Sequence, residues 1–255
     1  MDLSIVIPAY KEAHKIDRDV RAASSFIRES GLSGEVIVAD DGSGDGTAEA
    51  ARTAPVAEGV ELRVLELEHR GKGWAVRSGM VATRGEFAMF ADSGVCVPYE
   101  DALRGLELIR HGADVANGSR KMRGSLIARG QSFYRRTLSK FFRWVVIRVL
   151  GLPRNLTDTQ CGFKVYRGDV GRQLYGEAVT DGFMFDLEIL IRARERGMRV
   201  EEFPVRWACD PDSRLQPSRI LHRSLGELIT LKRILAEEKR RQRKTVATNV
   251  TNANE

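Results

Sequence analysis

The chain is poor in several features that mark whole classes of protein. Its three cysteines, at positions 96, 161 and 209, form no even set and no metal-type spacing. Neither a disulfide framework nor a zinc site is expected, and the thiols read as buried or incidental in a reducing compartment. No apolar run reaches the roughly 18 residues that a membrane span needs. The opening Met1-Asp-Leu-Ser-Ile-Val-Ile-Pro8 has no basic segment before its apolar run, so a first strand is expected there, not a signal peptide. Aromatic residues make up only 7% of the chain. One shortage is local. Between Asp114 and Asp158 there is no acidic residue, yet ten basic ones stand there: Arg120, Lys121, Arg123, Arg129, Arg135, Arg136, Lys140, Arg143, Arg148 and Arg154. Such a field favours a polyanion, an anionic membrane surface or a phosphate-bearing substrate.

What is present is an ordinary globular composition. The 255 residues are 42% hydrophobic and 30% charged, with a net charge of +6. That length allows one large α/β domain with a full core, or at most two small ones. The first half alternates. Strands are expected at Leu3–Ile7, Glu35–Ala39, Val60–Leu67, Glu86–Ala91 and Ala113–Asn117. Helices are expected at Glu12–Ser30, Thr47–Arg52, Gly73–Ala82 and Asp101–Arg110. Strands separated by helices imply βαβ crossovers and a mainly parallel sheet. After Ser119 the rhythm changes. Helical spacing runs through Gln131–Leu150, Phe185–Arg196 and Ile220–Arg243, with short strands at Gly162–Tyr166 and Arg199–Trp207. The polar tail Thr245–Glu255 has no apolar anchor and reads as disordered.

Two apolar strands end in acid: Glu35-Val-Ile-Val-Ala-Asp40-Asp41 and Phe87-Ala-Met-Phe-Ala-Asp92. In open α/β sheets ligands bind beyond the carboxyl ends of the strands. Two acidic strand ends there suggest a sugar nucleotide and a divalent cation, held together by oxygen ligands and phosphates. The glycines of Asp41-Gly-Ser-Gly-Asp45-Gly-Thr47 alternate and do not form a dinucleotide fingerprint. Asp45 or Thr47 is expected to cap the next helix. Asp40 and Asp41 suit hydrogen bonds from a base or a ribose. Lys72, after a glycine in a loop, can approach phosphates or be a solvated lysine. Asp158 can equally cap a turn, and Asp186 can complement a helix dipole.

Taken together, Ser4-Ile-Val-Ile-Pro8-Ala9-Tyr10-Lys-Glu12, Asp40-Asp41-Gly-Ser, Gly71-Lys72-Gly73 and Phe90-Ala-Asp92 resemble the inverting family 2 glycosyltransferases in order and spacing. Gly118-Ser-Arg120, Asp158-Thr-Gln160-Cys-Gly162-Phe-Lys164, Phe185-Asp186-Leu-Glu188 and Pro204-Val-Arg-Trp207 resemble a narrower branch. That branch comprises the dolichyl-phosphate glucosyltransferases and the polyprenyl-phosphate mannose and glucose synthases. The resemblance spans about residues 2 to 235.

It implies a GT-A fold, Rossmann-like, as one domain over 1–235. Residues 1–118 would serve the nucleotide sugar and 119–235 the acceptor, with a basic, then polar tail over 236–255. It implies hexose transfer, with glucose from UDP-glucose foremost, to a polyprenyl phosphate. By the same resemblance Pro8, Ala9, Tyr10, Glu12, Asp40, Asp41, Lys72 and Asp92 bind the nucleotide. Arg120, Gln160, Asp186, Ser213 and Arg214 serve the acceptor or its phosphate. Asp158 is the leading general-base candidate, or a residue that positions the acceptor. Asp92 is a catalytic residue and the ligand for Mg²⁺ or Mn²⁺, although Gly94 stands where a second Asp of an Asp-x-Asp motif would be.

The basic helix Gln131–Leu150, with Phe133, Phe141, Phe142 and Trp144, is expected to lie on an anionic membrane surface on its cytoplasmic face. No nucleic-acid module accompanies the charge, so no nucleic acid is expected. A homodimer is left open. The competing readings are a soluble or protein acceptor, and a catalytically degenerate homologue that binds nucleotide sugar.

Overall fold

The computed structural model describes residues 1–128, 156–208, 226–238 and 240. Seven strands form one sheet in the order β3-β2-β1-β4-β7-β5-β8. They are β1 (Leu3–Ala9), β2 (Gly34–Asp40), β3 (Val60–Glu66), β4 (Phe87–Ala91), β5 (Val115–Ser119), β7 (Phe163–Arg167) and β8 (Val200–Pro204). All neighbours are parallel except β7, which runs antiparallel to both β4 and β5. A separate parallel pair joins β6 (Leu126–Ile127) to β9 (Arg206–Trp207). The mainly parallel α/β sheet expected from the sequence is what the chain adopts.

Six helices cover the sheet: α1 (Ile16–Glu29), α2 (Thr47–Arg52), α3 (Lys72–Val81), α4 (Ala102–Arg110), α5 (Gly168–Gly176) and α6 (Phe185–Glu195). Residues 226–238 form a further helix. β1 and β2 are buried throughout because both of their faces are covered. Ile5, Ile7, Val36 and Val38 join α1, α2 and α4 in one core layer. Val6 and Ile37 point the other way and join α3, α5 and α6. A third cluster packs Leu187, Leu190 and Ile191 of α6 against Leu228, Leu231 and Leu235 of the 226–238 helix.

Thus α1, leading from β1 to β2, and α3, leading from β3 to β4, lie on opposite faces. The order of strand addition reverses between the parallel neighbours β1 and β4. That is a topological switch point, and its crevice opens at the carboxyl ends of these two strands.

Most expected elements fall within two residues of those observed. The helix expected from Glu12 starts at Ile16, because the Glu12 amide is drawn away by Thr47 Oγ1 at 2.9 Å. The strand expected over Arg199–Trp207 is two strands. Pro204 has no N–H with which to extend the ladder, and the Arg206 amide donates to Asp101 Oδ2 at 2.7 Å. α5 was not expected, since glycines bound it and only Val170, Leu174 and Tyr175 mark its buried side. The Gln131–Leu150 helix, the Thr245–Glu255 tail, Cys209, Ser213 and Arg214 lie outside the described residues.

Candidate active site

The crevice is built from the loops that leave β1, β2 and β4 and from the first turn of α3. Pro8 and Ala9 are buried in the last turn of β1, and Tyr10 emerges exposed. Glu12 pairs with Lys15 at 2.7 Å and accepts from Ser93 Oγ at 3.4 Å. Asp40 is buried and accepts the Ser43 hydroxyl, so it closes its own turn. Asp45 accepts the Thr47 amide at 3.1 Å, but the N-cap of α2 is Gly46, so neither Asp45 nor Thr47 holds the capping position expected. Asp41 is also buried. Its carboxylate receives His69 Nδ1 at 2.8 Å, the Arg70 amide at 2.9 Å and the Gly71 amide at 3.0 Å. The Asp-Asp turn thereby holds the strap that delivers Lys72.

Lys72 begins α3 and its Nζ lies 2.7 Å from Asp92 Oδ1 at the end of β4. Burial works against the ammonium, but Asp92 and Asp186 outweigh it and hold the Lys72 pKa above its ordinary range. The Asp92 amide is tied to the Gly162 carbonyl at 2.8 Å. A Cβ on Gly162 would fall 2.0 Å from Asp92 Oδ2, so the carboxylate can lie here only because position 162 has no side chain. Beyond it, Gly94 has φ of 96° and donates its N–H to both oxygens of Asp19, at 3.0 and 2.9 Å. Asp19 is buried on α1, and burial pushes its pKa up to about 6 against the pull of the Gly94 amide.

The acceptor side is assembled from β5, β7 and α6. Lys164, in the middle of β7 and fully buried, donates to Asp186 Oδ1 and to the Cys161 carbonyl, both at 2.6 Å. Burial raises the Asp186 pKa, and Lys164 and Lys72 only partly offset it. Burial likewise pushes the Cys161 thiol up to about 12, so it stays protonated. Arg120 grips Asp158 with two prongs, Nε to Oδ2 at 2.6 Å and Nη2 to Oδ1 at 2.9 Å, and reaches the Gln160 carbonyl at 3.3 Å. Burial would raise the Asp158 pKa, but the Arg120 guanidinium outweighs it and holds the carboxyl well below the usual range. Glu202 of β8 fixes this turn, accepting the Thr157 and Asp158 amides at 2.7 and 2.9 Å.

The expected residues of the described chain therefore converge, apart from Asp40, which serves its turn. Sequence reading assigned no role to Asp19, His69, Lys164 or Glu202. Lys164 carried a signal, a lone lysine in the otherwise apolar Phe163-Lys-Val-Tyr166 strand. Asp19 carried none. Among the described residues, four buried side-chain atoms lack a hydrogen-bond partner: Glu12 Oε2, Trp74 Nε1, Asp92 Oδ1 and Asn117 Oδ1. The Glu12 and Asp92 oxygens each lie 2.7 Å from an ammonium group, of Lys15 and Lys72 respectively. Buried polar atoms left short in this way mark a place made for something else. The open groove along β3, lined by Arg52, Val56, Val60, Leu62 and Val64, offers no comparable chemistry, because its one charge is paired with Glu49 and Glu66.

Comparisons with known proteins bear on the family and the fold. A family model described as glycosyl transferase family 2 matches residues 4–174. The dolichyl-phosphate beta-glucosyltransferase of Drosophila melanogaster is 33% identical over 230 residues, covering 85% of this chain and 70% of that protein. The human protein of the same name is 29% identical over 228 residues, covering 84% and 70%. Among solved structures, glucosyl-3-phosphoglycerate synthase from Mycobacterium tuberculosis with Mn²⁺, UDP-glucose and phosphoglyceric acid superposes with a TM-score of 0.65 at 16% identity, over 91% of this chain and 79% of that one. Mannosyl-3-phosphoglycerate synthase from Rubrobacter xylanophilus gives 0.63 at 18% identity, over 94% and 75%. At these identities the structural likeness speaks to the fold, which is shared.

Proposed function

The chain belongs to glycosyltransferase family 2, and from that premise we propose that it transfers glucose from UDP-glucose to a polyprenyl phosphate of the dolichyl type, with inversion. The observation that carries this reading is the match to dolichyl-phosphate glucosyltransferases over more than four fifths of the chain, taking in both halves of the crevice. The nucleotide half is residues 1–118 and the acceptor half 119–235. A phosphate oxygen of the acceptor attacks the anomeric carbon, and the bond from that carbon to the diphosphate of UDP breaks. The acceptor phosphate is already largely ionised, so little proton removal is required. The larger demand is charge on the departing diphosphate.

Lys72 meets that demand from the first turn of α3, where its ammonium is kept charged. Asp158 is too tightly held by Arg120 to serve well as a base, so in this reading it anchors Arg120 for the acceptor phosphate. Asp186, Gln160, Ser213 and Arg214 complete the acceptor side. Asp92 fits a divalent cation in a limited way. Its Oδ1 faces the Lys72 ammonium at 2.7 Å, and no cluster of three potential ligands forms among the described residues. Mg²⁺ or Mn²⁺ held by Asp92 needs the donor phosphates as its remaining ligands. Such an ion supplies further neutralisation of the leaving group.

No helix among the described residues is long and apolar enough to cross a membrane. The acceptor side exposes Leu126 (63%) and Ile127 (52%) beside Arg120, Lys121 and Arg123, which supports a peripheral position on the cytoplasmic face of an anionic membrane. Transfer of labelled glucose from UDP-glucose to a short polyprenyl phosphate, beside phosphoglyceric acid as soluble acceptor, tests the reading. Label is expected in the lipid. Label only in the soluble product would move the acceptor off the membrane. Nucleotide binding with no transfer would leave a degenerate binding protein.

A further inference from the structure

The motif Gly71-Lys72-Gly73 leans on a segment from the other half of the chain, residues 177–184, which joins α5 to α6. We infer that Asp181 of this segment is a positioning residue, which sets Lys72 toward the donor's diphosphate. The inference rests on the transfer proposed above, in which Lys72 neutralises the leaving group, and adds a residue that acts only through Lys72. Both glycines are needed for the approach of the two segments. A Cβ at Gly71 would fall 2.7 Å from the Asp181 carbonyl oxygen. One at Gly73 would fall 2.5 Å from the Thr180 carbonyl oxygen and 2.7 Å from that of Gly182. The bare backbone on either side of Lys72 therefore faces residues 180–182.

Asp181 holds the strap and α3 at three points that bracket Lys72. Its carbonyl accepts the Trp74 amide at 3.2 Å. Its Oδ2 accepts Arg70 Nε at 2.9 Å, and its Oδ1 accepts Arg77 Nη2 at 2.8 Å. Both guanidinium groups lie over the Trp74 ring, 4.4 and 4.8 Å from its centre. The side chain of Asp181 is 24% exposed and that of Arg70 47%, so their pairing adds little to stability. What it fixes is geometry, and a displacement of about 1 Å at such a place can cost on the order of 10²-fold in rate. Asp181 is itself held from the acceptor half. The Val179 and Thr180 amides donate to Glu188, fully buried on α6, at 3.0 and 2.8 Å. The Met184 amide donates to Glu227 Oε2 of the 226–238 helix at 3.2 Å. With both ends of the segment tied, Asp181 is a fixed stop against which the first turn of α3 is set.

Calorimetry at fixed Mn²⁺ with UDP, and with uridine as its competitor, tests this on wild type, Asp181→Ala, Lys72→Ala and the double variant. Asp181→Ala is expected to bind UDP about tenfold more weakly, the scale of one charge-assisted contact, with uridine unchanged. In the Lys72→Ala background the same substitution is expected to cost almost nothing, because Asp181 acts through that ammonium. Unchanged UDP affinity in Asp181→Ala overturns the proposal. So does a loss undiminished without Lys72, or one shared equally by uridine, since Asp181 would then support the whole crevice and not one side chain. A readout without nucleotide separates the proposal from the donor reading. Acetic anhydride labelling, followed by mass spectrometry, reports how open the Lys72 amine is, with the exposed Lys11 as reference. Lys72 is expected to label several-fold faster in Asp181→Ala, and an unchanged rate overturns the proposal. If wild type binds neither UDP nor GDP, the nucleotide-sugar reading fails, and the labelling alone decides whether Asp181 places Lys72.

Discussion

At the amino end of the sheet, Glu35 sits fully buried and accepts five hydrogen bonds, from Ser4 Oγ, the Arg84 amide, Arg63 and two nitrogens of Arg84. At the carboxyl end, Asp92 is partly open and pairs at 2.7 Å with the single cation Lys72. Both are strand carboxylates facing cations. The first is saturated by fixed protein donors, and its pKa is lowered because the arginine and serine bonds outweigh burial. The second is left short, with its cation also in the field of a second carboxylate, Asp186. Buried charge by itself says little about function. Whether its hydrogen-bonding capacity is used up separates a fastener from a site.

The sharpest break in this contrast is expected from Asp92→Asn. Transfer should fall about 10²–10³-fold, the scale of losing one electrostatic stabiliser. The melting temperature should fall only slightly, since Lys72 keeps Asp186 as a second carboxylate. Glu35→Ala should do the reverse. It forfeits several charge-assisted bonds and strips partners from Ser4 and Arg84, for a loss of roughly 3 kcal/mol. Turnover per folded molecule should be unchanged. Urea unfolding and transfer assays on both variants decide the matter, and crossed results would erase the distinction.

Asp19 stands between the two extremes, buried near Lys15, Arg18 and Tyr99 but bonded only to backbone amides. Its folded pKa of about 6 lies above the ordinary 3.8. A raised pKa means that the folded state holds the proton more firmly. The stability from this group is complete below about pH 4 and is lost as pH rises through about 6. Over that window the change amounts to roughly 2–3 kcal/mol. Asp19→Asn should flatten this part of the stability profile, measured by denaturant titration from pH 4 to 7. A slope that survives the substitution would assign it to another group.

Much of this organisation was legible in the residues. Apolar spacing at Ile16, Val20, Ala23 and Ile27 marked the buried stripe of α1, and all four are buried. The acidic ends of β2 and β4 were equally legible, and both stand at the carboxyl end of the sheet. Pairings were harder to foresee. Nothing local told Lys164 to seek Asp186, 22 residues on, or Arg120 to seek Asp158, 38 residues away. Such contacts follow from the antiparallel insertion of β7 between β4 and β5, a choice of sheet order that periodicity does not encode. Asp41 shows the same limit. Its position at the site was readable, but its partners come from a strap some 30 residues later that only the fold brings near.

The smallest effect concerns Gly94, and it bears on why this end of the sheet offers one carboxylate where the Asp-x-Asp pattern has two. A side chain at 94 must adopt φ near 96°, which glycine tolerates and other residues resist. The amide of this residue also points to the Asp19 carboxylate at about 3 Å, so the backbone cannot turn to relieve the strain without breaking that contact. A new carboxylate would in addition stand one residue pair away from Asp92 and close to Asp19, with like charges on both sides. Gly94→Asp is therefore expected to destabilise the protein by about 1–2 kcal/mol, the scale of forcing a residue with a Cβ to positive φ. It is not expected to tighten Mn²⁺ binding in the absence of nucleotide. Thermal unfolding and Mn²⁺ titration on the same sample read both quantities. If Mn²⁺ affinity rises with no loss of stability, position 94 is a vacated ligand site, and Asp19 is no longer needed to explain the loop. If stability falls and metal binding stays put, the loop has been rebuilt around the Asp19–Gly94 contact, and the donor's phosphates must supply what a second aspartate would have given.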